Sequence, residues 1–87
     1  MYTIKTTPQF DKWLSKIKDQ TTVKRLHVRM RKVSLGNFGD FAPVGEGVFE
    51  LREHFGAGWR MYYIRQADVI VVMLGGGDKS TQQTDID

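Results

Sequence analysis

Val48-Phe49-Glu50-Leu51-Arg52-Glu53-His54 is followed, across Phe55-Gly56-Ala57-Gly58, by Trp59-Arg60-Met61-Tyr62-Tyr63-Ile64-Arg65. Both stretches alternate in character with a period of two, the signature of strands with one covered face. Phe49, Leu51, Met61 and Tyr63 fall on one side, the natural core face. Glu50, Arg52, Arg60 and Tyr62 fall on the other. Gln66-Ala67-Asp68 then leads into Val69-Ile70-Val71-Val72-Met73-Leu74 and Gly75-Gly76-Gly77-Asp78-Lys79. That unbroken apolar run predicts a central strand buried on both faces. Connections this short predict an antiparallel meander of the three runs. Arg52, Arg60 and Lys79 would then converge at one end or face of a single sheet.

Working outward, Tyr2-Thr3-Ile4-Lys5 reads as a first strand. Thr7 suits a helix cap and Pro8 the first turn, where its missing N–H is no loss. Phe10, Trp13, Leu14 and Ile17 follow as the apolar stripe of an amphipathic helix. Asp19-Gln20-Thr21-Thr22 breaks that helix and caps a second, striped by Val23, Leu26, Met30 and Val33 and closed at Leu35-Gly36-Asn37. The short connection predicts an antiparallel helical hairpin. Residues 36–47, rich in glycine, read as a loop with Phe38 and Phe41 tucked onto the core. Ser80 to Asp87 resembles only the beginning of a third helix. The fold class is α+β, in the order β-αα-βββ(α). A mainly antiparallel four-stranded sheet is covered by the N-terminal helical hairpin, and the C-terminal helix is missing or short. Residues 1–87 form a single domain.

Composition narrows the function. With no cysteine there is no disulfide framework and no thiolate metal site. His27 and His54 are far apart in sequence, so neither a metal nor another cofactor is expected. No apolar run reaches the ~20 residues of a membrane helix, and Met1-Tyr2-Thr3-Ile4-Lys5 is no signal sequence; a cytoplasmic protein is expected. The net charge is only +3, but it is unevenly placed. Lys12, Lys16, Lys18, Lys24, Arg25, Arg29, Arg31 and Lys32 crowd the helical region, where the acids are Asp11 and Asp19. Such a run attracts phosphate or an acidic partner, although a solvated helical face is the commoner explanation.

The open sheet face carries the chemistry. Arginine grips phosphate oxygens by bidentate, charge-assisted hydrogen bonds. Tyr62 offers a ring for stacking or a phenol to donate. Glu50 is a candidate base. RNA cleavage without a metal needs a base for the 2′-hydroxyl, cations for the phosphorane charge and an acid for the leaving oxygen. The plainer reading is a cross-strand ion pair, worth at most ~1 kcal/mol. Lys79 follows three glycines, but the spacing is not that of a phosphate loop for nucleoside triphosphates. No serine has a neighbouring His–acid pair. His54 ends strand two on the side of Glu50 and Arg52, where a lone histidine is more often surface or structural than catalytic, and His27 receives no role.

The element order, together with Glu50-Leu51-Arg52, Gly58-Trp59-Arg60-Met61-Tyr62 and Leu74-Gly75-Gly76-Gly77-Asp78-Lys79-Ser80-Thr81-Gln82, resembles the RelE/ParE toxin superfamily over nearly the whole chain. More narrowly it is similar to the phage-derived Gp49-like, HigB-related addiction module killer proteins. The resemblance implies a toxin of a type II toxin–antitoxin system that cleaves mRNA in the ribosomal A site. It implies a cognate antitoxin, commonly a helix-turn-helix DNA-binding protein. By that resemblance Arg52, Arg60 and Lys79 would bind and polarise the scissile phosphate, with Tyr62 orienting a nucleotide. Lys16, Lys24, Arg25, Arg29, Arg31 and Lys32 would grip ribosomal RNA. One departure stands out: no histidine or tyrosine follows Tyr63, where several relatives carry a proton-transfer residue. That keeps two alternatives open, a ParE-type inhibitor of DNA gyrase and a non-toxic phage-derived interaction module. An exposed sheet edge or groove is expected to receive the antitoxin or a second copy of the chain.

Overall fold

The structure, a computed structural model, describes residues 1–79. The anticipated beginning of a third helix at 80–87 lies outside the described residues. Strand β1 (Thr3–Thr6) is followed by α1 (Pro8–Ser15), α2 (Gln20–Ser34), β2 (Phe41–Gly45), β3 (Val48–Arg52), β4 (Arg60–Gln66) and β5 (Ile70–Gly77). The strands form one sheet in the order β1-β5-β4-β3-β2. β1 runs parallel to β5, and every other neighbouring pair is antiparallel.

Local chemistry fixes the helix ends. Thr7 Oγ1 accepts from Phe10 N at 3.1 Å and lies 3.0 Å from Met73 O, so the cap of α1 also ties it to β5. The Asp19 carboxylate accepts from Thr21 N at 3.1 Å and from the Thr22 hydroxyl at 2.9 Å. At the far end of α2, Gly36 takes a positive φ of 93° and Asn37 N reaches back to Lys32 O at 2.8 Å. The core lies between helices and sheet: Phe10, Leu26, Met30, Val33, Leu51, Met61, Tyr63, Val71 and Met73. Trp13, Leu14, Ile17 and Phe49 pack around it, partly buried. Each fully buried side chain of this size contributes about 1.5–3 kcal/mol of transfer free energy.

Three features differ from the sequence reading. The sheet has a fifth strand, because Phe41–Gly45 pairs with β3 at its edge. Pro43 and Gly45 hide it, yet proline is tolerated on an edge strand, where a missing N–H breaks no inner ladder. Phe41, on that strand, is 44% exposed and contacts the rings of Phe38 and Phe49 at the rim rather than entering the core. Finally, β5 is an inner strand but buried on one face only. Val71 and Met73 are buried, whereas Ile70, Val72 and Leu74 remain half-exposed.

The glycine run 75–77 owes its composition to two different faces. A Cβ on Gly76 would stand 2.5 Å from three carbons of the Trp13 indole. Trp13 is itself lodged between the rings of Phe10 (centroids 5.6 Å) and Trp59 (6.2 Å), so it has little room to retreat. Gly76→Ala is expected to displace α1 from β5 and cost about 1–3 kcal/mol, as overpacking does. That lowers the melting temperature by roughly 5–20 °C in a domain of this size. Adding Trp13→Ala should make the second methyl harmless. Thermal melts of the four proteins of the cycle check this, and additive losses would contradict the close approach. On the other face a Cβ at Gly75 would meet nothing within 4 Å.

Candidate functional site

The register places the polar residues of β3 and β4 side by side. Arg52 is directly opposite Arg60, and Glu50 directly opposite Tyr62. Across the next ladder Arg60 faces Gly77 and Tyr62 faces Gly75. A shift in register between Tyr62 and Tyr63 brings Gly75, rather than Leu74, beside Tyr62. The result is a row of polar side chains bordered by a floor of bare backbone.

Two like charges directly opposite repel. Glu50 relieves this: its carboxylate oxygens lie 3.9 Å from Arg52 Nη1 and 4.0 Å from Arg60 Nε. The Glu50 and Arg60 side chains are each 8% exposed, so this pair sits within the protein. Arg60 Nη1 also donates to Trp59 O at 3.2 Å, while its Nε is buried without a hydrogen bond. Arg52 is far more accessible, with a side chain 34% exposed. The Lys79 side chain is exposed; its aliphatic stem lies over Gly58, and its backbone N–H reaches Ala57 O at 3.3 Å. Lys79 therefore stands at the same end of the sheet as Arg60, two residues beyond the Arg60–Gly77 pair. The register puts Glu50, Arg52, Arg60 and Tyr62 on one face with Lys79 at the same end of the sheet, and the five differ in depth. Arg52 and Lys79 are open to a ligand, Tyr62 is half-buried, and Glu50 and Arg60 lie behind.

Two further residues join the site, Asp40 from the loop before β2 and His54 from just beyond β3. Asp40, at the end of the 36–40 loop, accepts from Arg52 Nη2 at 2.9 Å and Nε at 3.2 Å through Oδ1. Its other oxygen pairs with His54 Nε2. The His54 hydrogen bond, and after it the Arg52 guanidinium, hold the Asp40 carboxyl below its usual 3.8 against an opposing push from burial. Nothing in a fourteen-residue spacing across a glycine-rich loop reveals this pairing; only the added edge strand brings residue 40 beside β3.

The helical cations divide. Lys24, Arg25 and Lys32 line one groove with Phe55, and the Arg25 guanidinium lies 4.5 Å over that ring. Lys16 lies elsewhere, beside Lys12 and the Gly75-Gly76 backbone. Arg31 is exposed. Arg29 also lines the groove beside Phe55, but its guanidinium is turned inward. It is 8% exposed and donates to Arg52 O (2.8 Å), Phe38 O (2.7 Å) and Asp40 O (2.7 Å), with Glu53 at 3.2 Å. A guanidinium committed to these partners is a structural residue rather than a surface RNA contact. Among the described residues no group of three or more His, Cys, Asp or Glu gathers as metal ligands would, and no helix is long and apolar enough to cross a membrane.

Comparison with known proteins agrees with this architecture. A Haemophilus influenzae protein without an assigned function is 48% identical over 83 residues, covering 95% of this chain and 84% of its own. The isolated Escherichia coli RelE toxin superposes with a TM-score of 0.72 at 14% identity, covering 99% of this chain and 97% of its own. RelBE2, a toxin–antitoxin complex from Mycobacterium tuberculosis, matches with a TM-score of 0.69 at 19% identity, over 91% and 92% of the two chains. Escherichia coli YafQ gives 0.60 at 18% identity, over 94% and 98%. These structures establish the RelE fold. The family model described as phage derived protein Gp49-like matches residues 12–87, nearly the whole chain, and to that family this protein belongs.

Proposed function

We propose that this chain is the toxin of a type II toxin–antitoxin pair, HigB-related in kind, and that it cleaves mRNA in the ribosomal A site of the cytoplasm. The observation that carries the reading is the arginine pair. Arg52 and Arg60 sit opposite one another with Glu50 between them, and Lys79 stands at the same end of the sheet. Fixed cations on a rigid sheet are what a phosphoryl transition state requires, because preorganised charge needs no rearrangement as the phosphorane forms. Arg52 and Lys79 would touch the scissile phosphate. Arg60 supports them from behind, and Glu50 keeps both arginines in register. Tyr62, bordered by bare backbone at Gly75, offers its ring to a nucleotide base. Lys16, Lys24, Arg25, Arg31 and Lys32 would contact ribosomal RNA. The neighbours solved as toxin–antitoxin complexes support an antitoxin partner, and a helix-turn-helix DNA-binding protein is the kind expected.

Induced expression in bacterial cells, with primer-extension mapping of a reporter transcript, tests this. Codon-phased cuts that vanish on co-expression of the antitoxin are the expected result. Growth arrest with intact mRNA and an SOS response would assign the chain to gyrase inhibition. Unimpaired growth with intact mRNA would leave an interaction module.

A further inference from the structure

Cleavage by transesterification needs a group to take the 2′-hydroxyl proton. Glu50 was the candidate, but its side chain is 8% exposed and lies between two guanidiniums, poorly placed to meet a nucleotide. His54 has the opposite properties. Its side chain is 71% exposed, and its Nε2 is hydrogen-bonded to Asp40 Oδ2. An ionised carboxylate can only accept, so Nε2 carries the hydrogen and the lone pair of Nδ1 is left for another proton. The same carboxylate holds Arg52 through its other oxygen. Imidazole and guanidinium are therefore one carboxylate and two hydrogen bonds apart, as a base for the 2′-hydroxyl and a clamp on the adjoining phosphate should be.

We infer that His54 is the general base of the cleavage step and that Asp40 is its positioning residue; this rests on the nuclease reading above. In the step, His54 Nδ1 takes the 2′-hydroxyl proton as the 2′-oxygen forms a bond to phosphorus. The bond from phosphorus to the 5′-oxygen breaks, and water protonates the leaving 5′-oxygen. The products are a 2′,3′-cyclic phosphate and a 5′-hydroxyl, with the proton on His54 returned to solvent. The charged groups around the imidazole are Asp40, bonded to it directly, Arg52, linked to it through Asp40, and Glu53 next in sequence, which is held by Arg29. Arg25 lies over Phe55 on the α2 side.

The test is single-turnover cleavage of a defined mRNA on purified ribosomes, from about pH 5 to 9, with wild type, His54→Ala and Asp40→Asn. His54→Ala should lose about 100-fold or more in rate, in the range of general-base removal. Ribosome binding should stay unchanged, and free imidazole should restore the rate in proportion to its concentration. Asp40→Asn should shift the acidic limb of the pH–rate profile. His54 is exposed, so its removal leaves folding intact, and matching thermal melts confirm that. Wild-type cleavage with His54→Ala within about threefold would overturn the inference while the nuclease reading stands. A larger loss that imidazole does not restore would overturn it equally. An inactive wild type would remove both.

Discussion

Arg29→Met is expected to destabilise the protein by about 3–5 kcal/mol, the cost of stripping one partner from a buried, hydrogen-bonded charge cluster. A domain of this length holds only some 4–13 kcal/mol in total, so the variant should melt roughly 15–30 °C below wild type or fail to fold at growth temperature. Arg29 leaves α2 and gathers three carbonyls, at Phe38, Asp40 and Arg52, together with the Glu53 carboxylate. Methionine fills much of the volume but donates nothing, leaving those carbonyls without their donor. Arg29→Lys should rescue poorly, because one ammonium cannot span the fork. The loop is shaped around the guanidinium: a Cβ at Gly39, which has φ of +63°, would lie 3.1 Å from Arg29 Nη2. Lys32→Ala, on an exposed position of the same helix, should change stability by less than about 0.5 kcal/mol. Thermal unfolding followed by circular dichroism decides it. An Arg29→Met protein that melts within a few degrees of wild type would show the loop to be held by something else.

Arg29 also marks where the sequence stops being legible. Periodicity separates apolar from polar positions, and on α2 it placed Leu26, Met30 and Val33 in the core correctly. Arg29 adjoins that stripe, but periodicity carries no information about a long polar side chain that finds carbonyls nine, eleven and twenty-three residues further along the chain, so it reads like its charged neighbours. Alternation in β3 and β4 fared better. Strand faces are set by stereochemistry, so Glu50, Arg52, Arg60 and Tyr62 were bound to share a side once both strands formed. Depth on that side was not legible, since burial of Glu50 and Arg60 depends on what flanks them across the sheet. The Asp40–His54 pair was hidden because a Pro- and Gly-containing edge strand does not announce itself by composition.

Depth leads to the second large effect. Arg52→Ala should reduce ribosomal mRNA cleavage by about 10²–10³-fold, the usual loss when one preorganised donor to a developing oxyanion is removed. Its stability should fall by less than with the inner arginine, because the exposed pair with Asp40 is worth ~1 kcal/mol or less and Glu50 keeps the buried Arg60 beside it. Arg60→Ala should behave differently. It uncovers Glu50, whose side chain is 8% exposed, and leaves a buried carboxylate short of one of its two guanidiniums. Loss of activity should then come with a stability loss of several kcal/mol. Arg60→Ala combined with Glu50→Gln should recover much of the stability and none of the rate, because the neutral amide no longer needs the charge while the cation row stays incomplete. Arg52→Lys should recover only part of the activity, since a point charge cannot grip two phosphate oxygens in one plane. Single-turnover rates measured beside urea unfolding curves separate these outcomes. If Arg52→Ala cleaves like wild type while Arg60→Ala is inactive yet fully stable, then the phosphate contact belongs to the inner arginine, and the accessible one is only Asp40's partner.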